Sequence, residues 1–186
     1  SKLIIGKNNV IRENVTMNPG TAGGGMLTSV GDYGLFMMGS HVAHDCIVGD
    51  NVVLANNATL AGHVTVGSFV ILGGLSAVHQ FVHIGDHAIV GGMTGVEHDV
   101  IPYGSVKGNR ASLSGLNIIG LKRRGFSRGQ VDELRAAYRM LFDGDGTFQE
   151  RLVKLLSTNP SSEAVLEIIK FIKKDSTRAI CQPKGG

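Results

Sequence analysis

Residues 30–101 read VGDYGLFMMGSHVAHDCIVGDNVVLANNATLAGHVTVGSFVILGGLSAVHQFVHIGDHAIVGGMTGVEHDVI. Every sixth residue from Val30 is apolar, and twelve successive positions carry no polar side chain. They are Val30, Phe36, Val42, Val48, Leu54, Leu60, Val66, Leu72, Val78, Ile84, Val90 and Val96. A second column, four residues further on in each repeat, holds only small or β-branched residues. Neither a helix nor an alternating strand has a strict period of six, so the sequence predicts a solenoid.

Three such repeats form one triangular coil with a short parallel strand on each side, and successive coils stack about 4.8 Å apart. Ile5, Ile11 and Met17 show the same period nearer the start of the chain. The interval from Met17 to Val30 is one residue longer than two repeats, which indicates a loop inserted at about residues 18–28. We therefore expect a solenoid over residues 1–102.

Beyond Pro102 the repeat stops, and residues 103–126 are expected to be a polar and basic connecting segment. Residues 127–186 have helical periodicity, and we expect a C-terminal helical domain that packs on the open end of the solenoid or on a neighbouring subunit. Three helix starts are predicted from capping signals, which are Ser127 with Gln130, Thr147 with Glu150, and Asn159 with Pro160.

Composition limits the function classes. The 186 residues carry a net charge of +3, and the few basic clusters lack interleaved aromatic residues, which argues against nucleic-acid binding. The sequence contains no transmembrane or signal-peptide pattern, so a cytoplasmic protein is expected. Cys46 and Cys181 do not suggest a disulfide framework. Because the chain lacks an initial Met and its first residues already follow the repeat, we also expect an upstream part.

Stacking makes residues 18 apart in sequence into neighbours, and this gathers polar side chains at one edge. One column reads His44, Gly62, Gln80, and the next reads Asp45, His63, Phe81; His79 lies beside them. A histidine next to a carboxylate has the parts of a general base. The backbone N–H of Gly62 could stabilise an oxyanion, because no side chain obstructs its approach.

Two alternatives to this interpretation remain open. His44, His79 and His83 could form a three-histidine zinc site between subunits, although the in-register position two coils from His44 is a glutamine. His83, His87 and His98 are expected to be inert surface residues. A further column of Met38, Asn56, Gly74 and Gly92 either serves the turns or leaves a groove for a long ligand such as an acyl chain.

Three segments are similar to the UDP-N-acetylglucosamine 3-O-acyltransferases that begin lipid A synthesis. They are SHVAHDCIVGDNVVLANNATLAGHVTVG (40–67), GGLSAVHQFVHIG (73–85) and GLNIIGLKRRGFSR (115–128). The resemblance extends from about Ile5 to Arg178. Hexapeptide repeats alone would indicate only a broad superfamily, whereas AHDC, AVHQF and NxxGLKRRGFSR together are specific.

The resemblance implies a left-handed parallel β-helix of hexapeptide repeats with a C-terminal α-helical appendage. It also implies a homotrimer with active sites between neighbouring β-helices. The donor would be an (R)-3-hydroxyacyl chain on acyl carrier protein, and the acceptor the 3-hydroxyl of UDP-N-acetylglucosamine. Neither a metal nor a cofactor is expected. Relatives have several additional coils upstream.

The resemblance further assigns roles to individual residues. His44 would act as the general base, Asp45 would orient it, and the Gly62 N–H would stabilise the oxyanion. The expected substrate-binding residues are His41, His63, His79 and Gln80 around the sugar, phosphate and acyl region, Asn117, Arg123 and Arg124 at the nucleotide end, and Gly92 at the acyl end. A glycine at position 92 should leave a long acyl groove. Ile119 stands where many relatives carry Glu, which puts one nucleotide contact in question.

Two other functions stay open on the sequence alone. One is a zinc-dependent hydratase of the hexapeptide superfamily, which would contain stoichiometric metal. The other is a non-catalytic trimer that binds acyl carrier protein without turnover. The acceptor sugar could be GlcNAc or its amino analogue.

Overall fold

The computed structural model describes residues 1–185 and shows a chain that winds through three parallel sheets. Each of five coils contributes one strand to each sheet. In chain order the strands are β1 (Lys2–Ile5), β2 (Val10–Ile11), β3 (Thr16–Met17), β4 (Leu27–Val30), β5 (Leu35–Phe36), β6 (His41–Val42), β7 (Ile47–Val48), β8 (Val53–Leu54), β9 (Thr59–Leu60), β10 (Thr65–Val66), β11 (Ile71–Leu72), β12 (Ala77–Val78), β13 (His83–Ile84), β14 (Ile89–Val90) and β15 (Gly95–Val96).

The first sheet has the order β1-β4-β7-β10-β13, and the third has the order β3-β6-β9-β12-β15. The second sheet starts with β2-β5-β8-β11-β14. The fold is thus a left-handed parallel β-helix with C-terminal helices, and the predicted fold class is confirmed.

The six-residue columns form the core. All twelve apolar positions of the first column are at most 4% exposed, and the second column is buried as well. From the second coil to the fifth, strands pair in register with residues 18 apart, as in Ile47↔Thr65↔His83. The predicted register is therefore confirmed, and its cause is the filling of a thin triangular interior by aliphatic side chains.

The inserted loop is visible in the register of the first coil. Its strands pair with residues 25 further on, as in Thr16↔His41, which is seven more than in the other coils. The extra residues lie between β3 and β4, in residues 18–26. The loop therefore leaves the β-helix where the third sheet passes to the first.

Tight turns with left-handed backbone conformations form the corners of each coil; Asp45, His63 and Phe81, for example, have φ of 59°, 61° and 66°. The three corners are named here after one residue of each. They are the His44 corner (residues 44–45, 62–63 and 80–81), the Phe69 corner (50–51, 68–69 and 86–87) and the Gly92 corner (56–57, 74–75 and 92–93). The His44 corner joins the third sheet to the first, the Phe69 corner the first to the second, and the Gly92 corner the second to the third.

The segment after the last full coil extends the second sheet. Strand β16 (Gly104–Lys107) pairs parallel with β14, and β17 (Ser112–Leu116) pairs antiparallel with β16. A short helix, α1 (Ile118–Arg123), follows. The chain tail returns to the last coil, where the Cys181 N–H donates to the Asp99 carbonyl over 2.8 Å.

Three longer helices complete the chain, namely α2 (Arg128–Phe142), α3 (Phe148–Ser157) and α4 (Glu163–Lys173). Both predicted capping boxes are present at the starts of α2 and α3. The helices share a second core, which includes Leu121, Leu134 and Ile168, all fully buried. This core also contains Tyr103, which connects the helical domain to the β-helix.

The predicted start of the last helix at Asn159 and Pro160 is wrong. Helix α4 begins at Glu163, with Ser162 as its N-cap. Asn159 has φ of 48°, and its N–H donates to the Leu156 carbonyl over 3.1 Å. Asparagine tolerates the left-handed conformation that follows many helix C-termini, so this residue ends α3 instead of starting α4.

Cys46 and Cys181 are both buried free thiols. Within residues 1–185, no helix combines the length and the hydropathy needed to cross a membrane.

Candidate active site

The structure brings His44, Asp45 and Gly62 together at the His44 corner. The His44 Nδ1 lies 2.8 Å from the Asp45 Oδ2, so the carboxylate accepts the Nδ1 proton. The neutral imidazole then carries its lone pair on Nε2. About a third of the His44 side chain is exposed, whereas the Asp45 side chain is fully shielded from solvent. The arrangement presents a basic nitrogen at the surface and an oriented carboxylate behind it.

Asp45 is ionised in this environment. Burial by itself would raise the pKa of its carboxyl, but hydrogen bonds from Thr21 and from His44 outweigh burial and lower the pKa to about 2. A permanent negative charge at this position favours the Nδ1–H tautomer of His44 and would stabilise the imidazolium formed when the base takes a proton.

Gly62 lies directly against the His44 ring. A Cβ at this position would be 2.6 Å from the His44 Cε1 and 2.7 Å from Nε2, so only glycine leaves room for the imidazole. No described residue accepts a hydrogen bond from the Gly62 N–H. At the Phe69 corner, by contrast, the corresponding N–H groups of Asp50 and Ser68 are paired; the Ser68 N–H donates to the Asp86 carboxylate over 2.9 Å. The Gly62 N–H thus remains an unpaired donor next to the candidate base.

Aromatic contacts order the same corner. The rings of His44 and His63 meet edge to face with centroids 5.1 Å apart, and His63 stacks on Phe81 at 4.6 Å. These contacts limit the rotation of His63, whose ring stands beside His44 and Asp45.

His79 and Gln80 lie in the next coil of this corner and contact a residue that the sequence analysis did not assign. The Arg178 Nη2 donates to the His79 Nδ1 over 2.7 Å, and its Nε donates to the Gln80 carbonyl over 3.0 Å. Because arginine is a donor only, His79 presents an Nε2–H donor. His41 lies on β6, where its Nδ1 is 2.7 Å from the Thr16 hydroxyl.

Asn117, Arg123 and Arg124 lie at the Phe69 corner, away from the His44 corner of the same chain. The buried Asn117 side chain accepts from the Gly120 N–H and donates to the His87 carbonyl over 2.9 Å. It therefore caps α1 and fixes this helix to the corner. Arg123 is exposed, while the Arg124 Nη2 donates to the Phe69 carbonyl over 2.9 Å.

The second guanidinium nitrogen of Arg124 has a different environment. Its Nη1 is buried and has no hydrogen-bond partner among the described residues. Partial burial lowers the pKa of this guanidinium, and its cation contacts the Phe69 ring at 5.6 Å. This cation lies one residue from the exposed Arg123, and two adjacent guanidinium groups suit an anionic ligand.

Gly92 lies at the third corner, where it is exposed and stacks on Gly74. A Cβ at position 92 would meet the Gly74 carbonyl oxygen at 3.3 Å, which is a tight contact. The residues of the predicted site thus fall on three different corners of the prism.

One cluster of side chains at the His44 corner has the ligand types of a metal site. Across residues 1–185, the ligand atoms of His44, Asp45 and His63 form the one group close enough for a shared ion, within 4.8 Å of one another. Asp45 already accepts hydrogen bonds from Thr21 and His44. Both bonds engage Oδ2, and the bond from His44 orients the imidazole as a base requires, so the arrangement favours acid–base chemistry.

Family profiles match both parts of the chain. Residues 99–181 match the family described as UDP-N-acetylglucosamine O-acyltransferase, domain 2. Residues 28–62 match the bacterial transferase hexapeptide family of six repeats.

Individual relatives match over nearly the whole chain. The acyl-[acyl-carrier-protein]–UDP-N-acetylglucosamine O-acyltransferase of Caulobacter vibrioides is 59% identical over 184 residues, which cover 99% of this chain and 70% of the relative. The enzyme of the same name from Paracoccus denitrificans is 50% identical over 183 residues, which cover 98% of this chain and 69% of the relative.

Solved structures agree with these matches. The UDP-N-acetylglucosamine acyltransferase from Campylobacter jejuni superposes with a TM-score of 0.93 at 42% identity, covering 99% of this chain and 71% of that one. A UDP-N-acetylglucosamine acyltransferase from Francisella novicida gives a TM-score of 0.93 at 32% identity. The superposition covers 98% of this chain and 67% of the Francisella chain.

Proposed function

The chain belongs to the UDP-N-acetylglucosamine O-acyltransferase family, and we propose that it transfers an (R)-3-hydroxyacyl chain from acyl carrier protein to the 3-hydroxyl of UDP-N-acetylglucosamine, the first step of lipid A biosynthesis. The observation that carries this proposal is the hydrogen-bonded pair of His44 and Asp45 beside the unpaired N–H of Gly62. A cytoplasmic location, where a carrier-bound thioester and a nucleotide sugar are both available, is part of the proposal.

The reaction follows from this geometry. His44 Nε2 removes the proton from the sugar hydroxyl as its oxygen attacks the thioester carbonyl carbon. A C–O bond forms, and the carbonyl oxygen gains the negative charge that the Gly62 N–H would stabilise. The tetrahedral intermediate then loses its C–S bond, and the imidazolium returns the proton to the departing pantetheine sulfur. Asp45 stabilises the imidazolium throughout, and no cofactor enters these steps.

The nucleotide end of the acceptor would lie against the Phe69 corner of a neighbouring chain. The exposed guanidinium of Arg123 and the partly buried guanidinium of Arg124 are adjacent cations that suit a pyrophosphate. Asn117 holds α1, and so both arginines, in place. Because the His44 corner and this corner are separate within one chain, we propose a homotrimer with sites between subunits.

The surroundings of His44 fit the remaining parts of the two substrates. His41, His63, His79 and Gln80 would contact the sugar, phosphate and acyl region. Two successive positions of the column at the Gly92 corner, Gly74 and Gly92, carry no side chain, which suits a long acyl chain. Ile119 is 68% exposed on α1, so the contact that many relatives make with Glu is replaced by an apolar surface.

A direct assay tests the proposed function. The purified protein is incubated with UDP-N-acetylglucosamine and (R)-3-hydroxyacyl carrier protein, and mass spectrometry detects an O-acylated nucleotide sugar. We expect one acyl group per sugar, unchanged rates in the presence of a chelator, and no stoichiometric zinc by elemental analysis. Binding of the carrier protein without ester formation would contradict the proposal, and zinc-dependent turnover would favour the hydratase alternative.

A further inference from the structure

The loop of residues 18–26 is the place where the chain departs from its repeat. It joins β3 in the third sheet to β4 in the first, and His44 and Asp45 join the same two sheets one coil later. The topology therefore places this loop against the candidate base. The stacking of coils does not require this loop, because the later connections from the third sheet to the first have no inserted segment.

Thr21 of this loop contacts Asp45 through two groups. The Thr21 N–H lies 2.9 Å and 3.1 Å from the two carboxylate oxygens, and its hydroxyl donates to Oδ2 over 2.6 Å. The same Oδ2 accepts the proton of the His44 Nδ1 over 2.8 Å. Only one rotation of the carboxylate satisfies these bonds, and this rotation points Oδ2 at the histidine.

The loop is itself tied down around Thr21. The Thr21 carbonyl accepts hydrogen bonds from the N–H groups of Gly24 and Met26, each over 3.0 Å. Gly24 packs so closely on the carboxylate that a Cβ would lie 2.1 Å from the Asp45 Cγ. On β4, which follows the loop, the Thr28 hydroxyl accepts from the Asp45 N–H over 2.7 Å. The loop thus encloses the carboxylate and excludes water from it.

Carboxylates at the Phe69 corner show what Asp45 would do without the loop. The Asp50 and Asp86 side chains accept from the backbone N–H groups of Asp32 and Ser68 in the preceding coil. They bridge consecutive coils and are not enclosed by an inserted segment. Asp45 instead faces the loop on one side and His44 on the other, so the loop serves the orientation of this particular carboxylate.

We propose that Thr21 is a positioning residue for the transfer reaction, and that it acts by holding the Asp45 carboxylate in the rotation that binds the His44 Nδ1–H. This inference rests on the proposed function of His44 as the base. Thr21 itself does not touch the reacting atoms. Its bonds to Asp45 are also among the causes that keep the pKa of Asp45 at about 2, against the opposing effect of burial.

Substitution of the hydroxyl separates positioning from folding. Thr21→Val keeps the shape and the backbone N–H but removes the hydroxyl. We expect kcat to fall by about 10- to 100-fold because the base is misaligned, while KM for both substrates stays within about twofold. Thr21→Ser, which restores the hydroxyl, should recover kcat to within about threefold of the wild type.

The matched control is Thr158→Val in the helical domain. The Thr158 hydroxyl donates to the Leu155 carbonyl over 2.7 Å, so this variant also loses one threonine hydrogen bond, at a position remote from the His44 corner. Its kcat should equal that of the wild type. Equal losses of kcat in Thr158→Val and Thr21→Val would overturn the proposal, as would a Thr21→Val variant with kcat within about threefold of the wild type.

A measurement without substrate distinguishes this inference from the proposed function. Nitrogen-15 NMR of histidine-labelled protein, with His44 assigned by its replacement, reports which ring nitrogen carries the proton. We expect the Nδ1–H tautomer of His44 in the wild type, in Thr21→Ser and in Thr158→Val, and a mixture of tautomers in Thr21→Val. An unchanged tautomer in Thr21→Val would refute the role of Thr21 even in a fully active enzyme. A tautomer change in a protein without transferase activity would refute only the proposed function.

Discussion

At the residue scale, the absence of a side chain at position 62 determines where His44 can lie. A methyl group at Gly62 would overlap the imidazole at 2.6 Å, so Gly62→Ala must displace the ring or the backbone. We expect this variant to lose about 100-fold in kcat, since a displacement of about 1 Å is enough for such a loss. Steady-state kinetics of the folded variant measures the effect.

Gly129→Ala is the control for this substitution. An added Cβ at position 129 would meet only the Ser127 hydroxyl, at 3.9 Å, and the residue lies in the first turn of α2. Gly129→Ala should leave kcat unchanged. If Gly62→Ala keeps kcat within about threefold of the wild type, the close packing of His44 on Gly62 has no catalytic importance.

The stacking rule allowed part of the candidate site to be predicted from the sequence at this scale. His44, Gly62 and Gln80 fall in one column because the repeat fixes an 18-residue register. Thr21 and Arg178 could not be placed in this way. Both lie outside the repeat, one in the inserted loop and one in the tail, and their contacts depend on how these segments fold back.

At the element scale, the hexapeptide period was sufficient to predict the coils, because each inward position must be small enough or aliphatic enough for a thin core. The hairpin of β16 and β17 and the short helix α1 were not predicted, since neither has a period that a sequence shows. The start of α4 was missed because Asn159 and Pro160 also suit the end of the preceding helix.

Helix caps give a stability prediction at the same scale. The Ser127 hydroxyl accepts from the Gln130 N–H, and the Gln130 side chain accepts from the Ser127 N–H. Ser127→Ala should therefore lower the free energy of unfolding by about 1 kcal/mol. Ser162 occupies the N-cap of α4 but makes no side-chain capping bond. Ser162→Ala should therefore change the free energy of unfolding by less than about 0.5 kcal/mol.

Urea unfolding of the two variants, followed by circular dichroism, measures both free energies. Equal destabilisation by the two substitutions would show that the hydrogen bonds of the capping box do not contribute to the stability of α2. The comparison is well matched, because each serine directly precedes a helix of the same domain.

At the scale of the whole molecule, the separation of the site residues over three corners predicts a shared active site. If the His44 corner of one subunit faces the Phe69 corner of its neighbour, His44→Ala and Arg124→Ala damage opposite sides of each site. Mixed trimers made by coexpression should then regain about a third of the wild-type sites, because an intact site needs one undamaged side from each of two neighbouring subunits.

The activity of purified mixed trimers, compared with that of each variant alone, measures this recovery. Analytical ultracentrifugation of the wild type supplies the control for the trimer itself. Mixed assemblies that are no more active than the separate variants would contradict a site shared between subunits.

The role of His44 as the proton acceptor is the central claim, and the most direct measurement is the rate of ester formation by His44→Ala with saturating UDP-N-acetylglucosamine and (R)-3-hydroxyacyl carrier protein. The account predicts that this rate is lower than that of the wild type by about 10²- to 10⁴-fold, the usual contribution of a general base. A decrease of less than about tenfold in a folded trimer would contradict it.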